Sequence, residues 1–181
     1  KLIKNISYSE AIELAFYGAS VIHPKTLQPV QKKEIPLYIK SFEKPNQKGT
    51  QINKNLDLSP KVPCYIFKNN MIFIKIFSLD FSFAIDKNLS HIFKKIDEFQ
   101  MKVDIIQNSA ISFSICLFDK YNQIDNLIKS LEEKFKIEVF KNISLYTIRH
   151  FDEQAIKVVS AGKKLLLEQR SEKTVKLIFK N

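Results

Sequence analysis

Three histidines, two cysteines and three glycines are the residues with which metal, redox, acid-base or phosphate chemistry would have to be done in this chain. They are sparse and far apart. His23, His91 and His150 have no second ligand at metal-binding spacing, so each reads as structural or surface-exposed; His23, beside Pro24, reads as a turn residue rather than a base. Cys64 and Cys116 stand alone in apolar, strand-like contexts without CxxC spacing or an adjacent His, which makes them buried free thiols. Gly18, Gly49 and Gly162 are too dispersed to form a glycine-rich phosphate cradle, and phosphoryl transfer needs such a cradle, cations and usually Mg²⁺. This stretch alone is therefore expected to be catalytically silent.

Composition narrows the partners. A chain of 181 residues with 45% hydrophobic and 27% charged residues forms one or two domains with a sizeable core. No run reaches the ~18 apolar residues of a membrane span, and Lys1 to Ile6 has no signal-peptide apolar region, so a cytoplasmic protein without membrane contact is expected. The net charge of +10 raises the question of nucleic acid. Residues 1–62 hold ten Lys against five acidic residues, and the remainder nineteen Lys and Arg against fourteen. So even an excess marks no dedicated polyanion face.

The elements that must position these residues follow from periodicity. Ser7 with Glu10 forms a capping box opening a helix through Ala11, Leu14 and Ala15 that ends near Gly18. Pro24 fits the first position of a second helix, which Pro29 ends or bends, and Leu37 with Ile39 begins a strand. All six prolines lie between Pro24 and Pro63, and the polar stretch Glu43 to Lys61 reads as a domain boundary. Beyond it come a strand at Met71–Leu79, a helix with Leu89, Ile92, Phe93, Ile96 and Phe99 on one face, strands at Val103–Ile106 and Ile111–Phe118, a helix carrying Ile124, Leu127, Ile128, Leu131 and Phe135 with Asn122 as cap, and a strand at Ile137–Phe140. That order, βαββαβ, is a two-layer ferredoxin-like sandwich. A second, interrupted unit follows: strand Leu145–Phe151, helix Asp152–Ala161 with Gly162 as C-cap, and a hairpin of Leu165–Glu168 with Thr174–Phe179, the strand Pro63–Lys68 being its outlying member.

Several spaced motifs agree with one family. Ser-Tyr-x-Glu-Ala at Ser7, the Gly-Ala-x-Val-x-His-Pro-x-Thr turn at Gly18 to Thr26, Ile35-Pro36, and Pro-x-x-x-Gly-Thr-x-Ile at Pro45 to Ile52 resemble the end of an aspartate kinase catalytic domain. Lys102 to Ile115, KVDIIQNSAISFSI, resembles the Ile-x-Val-Asp-x-Ile-x-x-Ser hairpin of the ACT regulatory domains of that family. The resemblance implies an α+β fold: tandem ferredoxin-like βαββαβ (ACT) units, one inserted in the other, preceded by the C-terminal segment of an amino-acid-kinase α/β domain. The boundaries implied are residues 1–55 for the kinase segment, 71–141 for the first ACT domain, and 63–70 with 142–181 for the second.

Function follows from the resemblance. The whole enzyme would transfer the ATP γ-phosphoryl group, with Mg²⁺, to the side-chain carboxylate of aspartate, the first step toward lysine, threonine and methionine. The family's Lys-Phe-Gly-Gly-Thr opening and catalytic Lys are not in this stretch, so it is expected to have no catalytic residue and to bind no cofactor. Ser20, Val21 and Lys25 would border the nucleotide; the family's usual Lys is replaced by Ser20, and Lys25 is either its electrostatic substitute or a solvated helix-start residue. In the ACT unit a free amino acid, lysine or threonine, would sit between paired domains of a homodimer. Asn88 and Leu89 would offer N–H groups to its carboxylate, Asp104 would take its ammonium, and Asn108 and Ser109 would add polar contacts. The alternative is a basic βαββαβ RNA-binding module, since the RRM shares this strand order. It requires Gly, a cation and spaced aromatics on the third strand, and Ile111 to Phe118 carries Phe113 and Phe118 but no Gly and no adjacent cation.

Overall fold

Ile6 is the inward-facing residue of a three-residue strand, β1 (Asn5–Ser7), with which the computed structural model opens; the structure describes residues 2–19, 21–79 and 85–181, with backbone alone for 85–87. Helix α1 (Tyr8–Tyr17) starts where expected, because Ser7 Oγ accepts the Glu10 N–H at 3.2 Å. It stops at Gly18, whose φ of 121° suits glycine and whose N–H donates to the Ala15 carbonyl at 3.1 Å. Helix α2 (Pro24–Lys32) is capped by His23, whose Nδ1 accepts the Lys25 N–H at 3.2 Å. Pro29 does not end α2. The carbonyl it leaves without a helical donor belongs to Lys25, which is exposed and within reach of water.

The stretch read as a boundary contains a strand. β3 (Thr50–Asn53) lies between β1, parallel to it, and β2 (Leu37–Ile39), antiparallel, with Ile52 opposite both Ile6 and Leu37. Only Ile52 of these four residues is buried, so no alternating pattern announced it. Tyr8, Ala11, Leu27 and Leu58 complete this core with Ile6 and Ile52, and the Tyr8 hydroxyl donates to the Ile35 carbonyl.

Two pairs of expected strands are single long ones. β4 (Cys64–Ser78) joins the two segments at its ends, and β7 (Phe135–Arg149) does the same for the later pair. Each carries an Asn at the join in the left-handed region, Asn70 at φ 55° and Asn142 at φ 54°, a conformation Asn tolerates better than most residues. Between them run α3 (Ile85–Glu98), β5 (Lys102–Asn108), β6 (Ser112–Phe118) and α4 (Ile124–Glu132). α5 (Glu153–Ser160), β8 (Lys164–Arg170) and β9 (Thr174–Lys180) close the chain. The hydrogen-bonded order is β5-β6-β4-β7-β9-β8. Within it β5-β6-β4-β7 is the ferredoxin-like order, and the fold is α+β with tandem units of this kind.

β4 and β6 pair antiparallel, Ile72 opposite Leu117, Ile74 opposite Ile115 and Ile76 opposite Phe113. These side chains meet Ile92 and Ile96 of α3 and Ile124, Leu127 and Leu131 of α4, so both helices cover one face. The opposite face buries Met71, Phe73, Ile105, Cys116, Ile143, Leu145 and Ile178. Coverage on both sides explains why these strands read as near-continuous apolar runs.

Asn122 is not the cap of α4. It has φ 55°; the N-cap is Gln123, which makes no side-chain cap bond, and Asp119 in the turn before it accepts the N–H groups of Tyr121, Gln123 and Ile124 at 3.2, 3.0 and 2.8 Å. Asp152 caps α5 through the Ala155 N–H at 2.6 Å. The chain divides into two compact units, one of Lys1–Phe67, Tyr146–Ala161 and Glu168–Leu177, the other of Lys68–Leu145, Gly162–Leu167 and Ile178–Asn181.

Candidate effector site

Asp104 is the extra residue of a β-bulge. The register of β5 against β6 runs Lys102–Phe118, Val103–Leu117, then slips so that Ile105 stands opposite Cys116. A bulge re-aims a side chain out of strict alternation, and here the Asp104 carboxylate forms an ion pair with Lys68 of β4. The two side chains are 12% and 22% exposed, so water screens the pair only in part. They border an open cavity of about 290 Å³ shared with Asn69, Met71, Lys102 and Phe118. Two ammonium groups and one carboxylate around such a space complement a zwitterion: carboxylate toward Lys102, ammonium toward Asp104.

The other residues of the expected effector site lie elsewhere on the same unit. Asn108 and Ser109 are exposed at the β5–β6 turn, where the Ser109 N–H donates to the Ser112 carbonyl at 2.8 Å and Ser109 Oγ accepts the Ser112 N–H at 3.1 Å. That hydroxyl is engaged in closing the hairpin. Asn88 and Leu89 are half-buried in the first turns of α3. Because α3 begins at Ile85, the Leu89 N–H reaches back along the helix and the N–H groups open to a ligand belong to earlier residues. None of Asn88, Leu89, Asn108 and Ser109 lines the cavity beside Asp104. The loop before α3 falls at residues 80–84, outside those described.

Of the residues expected to border a nucleotide, Ser20 lies outside the described residues. Val21 is 69% exposed at the mouth of an apolar hollow of about 120 Å³ with Ile3, Leu14, Ala19, Ile22 and Ile39. Lys25 is exposed, its N–H engaged by His23. One solvated cation and a greasy hollow do not fit a triphosphate with Mg²⁺. Among the described residues no group of three His, Cys, Asp or Glu could hold a metal ion, and no helix is long and apolar enough to cross a membrane. Neither Cys64 nor Cys116 is in a disulfide, and burial pushes the Cys64 thiol up, helped by the Glu10 charge.

One buried cluster had no sequence signal. Glu10 of α1, 8% exposed, accepts two hydrogen bonds of 2.7 Å from Arg149 at the end of β7, Nε to Oε1 and Nη2 to Oε2. Arg149 Nη1 also donates to Thr174 Oγ1 at 2.8 Å, and His150 Nε2 lies 2.9 Å from Glu10 Oε1. Burial alone would raise the Glu10 pKa, but the hydrogen bonds and charges of Arg149 and His150 outweigh it and hold the carboxyl below its ordinary value. Read locally, Glu10 completes a capping box; its carboxylate instead serves a residue 139 positions away. With Glu13 Oε2 3.7 Å from Arg149 Nη1 as well, the guanidinium ties α1 to the end of β7, and the cluster serves as a clamp.

A βαββαβ sandwich whose cavity is bordered by Lys68, Lys102 and Asp104 places the chain among α+β proteins of the ferredoxin-like type. The Amino acid kinase family matches residues 1–41. Aspartokinase 2, chloroplastic, of Arabidopsis thaliana is 26% identical over 158 residues, which cover 79% of this chain and 28% of that protein. The aspartate kinase of Clostridium acetobutylicum superposes with a TM-score of 0.83 at 22% identity, over 99% of this chain and 46% of that one. Escherichia coli aspartokinase III in complex with lysine and aspartate gives 0.76 at 21%, over 99% and 42%. The homologues of this chain are aspartokinases, and it spans little more than a quarter of the length of the first of them. They lend no support to an RNA-binding module.

Proposed function

We propose that this chain is the C-terminal regulatory part of an aspartate kinase, comprising the kinase segment at residues 1–55, a first ACT domain at 71–141 and a second at 63–70 with 142–181. The parent enzyme phosphorylates the side-chain carboxylate of aspartate with ATP and Mg²⁺ in the cytoplasm; the present stretch supplies sensing and pairing. The observation that carries this reading is the continuity of a kinase-type segment into βαββαβ sheets that superpose on an aspartate kinase over 99% of the chain.

Regulation operates by differential affinity. An effector, lysine or threonine, that binds one arrangement of paired ACT domains more tightly shifts the population toward a less active kinase, by at most that difference, typically ~1–3 kcal/mol. The E. coli relative was solved in complex with lysine and aspartate, which supports a free amino acid as ligand. β5 and β8 end the six-stranded order, and a strand edge can pair with that of a second copy, which supports a homodimer.

Calorimetry with lysine, threonine and methionine, one at a time, tests the sensing function, and light scattering with and without ligand tests pairing. Saturable heat from at least one amino acid is expected. No heat from any of them at millimolar concentration rejects the sensor. A coupled ADP-release assay on the same chain is expected to show no aspartate-dependent turnover.

A further inference from the structure

We infer that Lys68 is a built-in competitor for the effector: its ε-ammonium occupies the Asp104 carboxylate, and a free amino acid must displace it to bind. The inference rests on the effector reading of Asp104 given above and adds the residue that sets ligand affinity there.

The chemistry is a matter of identical groups. Lys68 presents to Asp104 a primary ammonium with three N–H donors, the same group that an amino acid presents through its α-nitrogen. A second ammonium brought to this carboxylate, with Lys102 also at the rim, meets the Lys68 charge a few ångströms away in a partly dry site, and that repulsion opposes joint occupation. Lys68 and the ligand ammonium therefore compete. Lys68 is held on a flexible four-carbon stem, so it can swing out to water without moving β4. The geometry supports a designed competition rather than a chance surface pair. Asp104 reaches Lys68 through the bulge that removes it from strand alternation, and both side chains are mostly buried.

The expected effect follows from how often the carboxylate is open. If Lys68 closes the site about nine-tenths of the time, the ligand's apparent affinity is reduced about tenfold, and removing the competitor restores it. The same substitution takes the Lys68 cation from a mostly buried carboxylate, so the free protein should melt lower while its ligand-induced rise in Tm becomes larger.

The experiment uses the whole chain with L-lysine and L-threonine as probes, read by calorimetry and thermal melting. Variants are Lys68→Met, Lys68→Gln, which keeps a neutral donor beside Asp104 in case the Met form folds poorly, Asp104→Asn, and the double variant Lys68→Met with Asp104→Asn. At least one probe is expected to bind the Met or Gln form about tenfold more tightly than the unaltered chain, with a larger Tm rise, and both Asn forms are expected to lose it. Equal or weaker binding to the Met and Gln forms, with Asp104→Asn still abolishing binding, overturns the role of Lys68 and leaves the effector site standing. Absence of binding to every folded form overturns the effector site, and the inference falls with it.

Discussion

Arg149 on β7 grips the Glu10 carboxylate of α1 in a two-pronged hydrogen-bonded pair, both contacts 2.7 Å long. The helix that opens the chain is thereby fastened to a strand more than a hundred residues later. A fork-on-carboxylate geometry of this kind is directional, so the orientation of α1 against β7 is specified as well as its proximity.

Breaking the pair from one side should be costly. Arg149→Met leaves Glu10 buried beside an apolar side chain, and the expected loss of stability is ~3–5 kcal/mol. Replacing both residues by Met should recover part of that loss, since no buried charge then remains. Urea denaturation of the two single variants and the double variant checks the coupling; a loss below ~1 kcal/mol for Arg149→Met would contradict the clamp.

The same pair predicts an acid limb. The folded Glu10 carboxyl titrates below its ordinary value of 4.5, so the folded state holds fewer protons there than the unfolded chain. Its contribution is fully present above pH 4.5 and is lost as pH falls from there through the depressed folded value. Urea midpoints followed downward from neutrality should decline across that window. The decline should be shallower in Glu10→Gln, which has nothing to titrate at this position.

Gly49 is a steric requirement. A Cβ placed there would lie 2.0 Å from the Ile39 carbonyl oxygen, a backbone atom that cannot step aside without disturbing the β2–β3 pairing. Gly49→Ala is expected to destabilise by roughly 1–3 kcal/mol, the range for overpacking. Thermal melting reads it directly, and an unchanged Tm would show that β2 can yield.

The start of α4 separates two neighbouring residues. Asp119→Ala removes the acceptor of three N–H groups and should cost ~1–2 kcal/mol. Asn122→Gly should be close to neutral, because Asn122 contributes a left-handed backbone conformation that glycine adopts freely. Chemical denaturation of both variants decides; equal losses would return the capping role to Asn122.

Local and periodic features were legible in the residues. Ser7 with Glu10, the glycine stop at Gly18, the faces of α3 and α4, and the alternation Ile111, Phe113, Ile115, Leu117, of which Ile111 alone proves exposed and outside β6, each depend on neighbours within a turn or a few residues, so their pattern survives in one dimension. The spacing of kinase-like and ACT-like motifs pointed to aspartokinases, and the homologues agree. β3 was not legible, because its single buried residue, Ile52, leaves no period to detect.

Tertiary structure decided whatever depends on partners distant in the chain. That β4 and β7 each run on past an Asn, that Asp104 leaves the alternation of β5 to meet Lys68, and that Glu10 serves Arg149 rather than its own helix end are outcomes of strand pairing and burial. A carboxylate's local surroundings indicate whether it can cap a turn. They do not indicate which cation the folded chain will bring within reach of it, because that choice is made by the energetic cost of leaving a buried charge uncompensated.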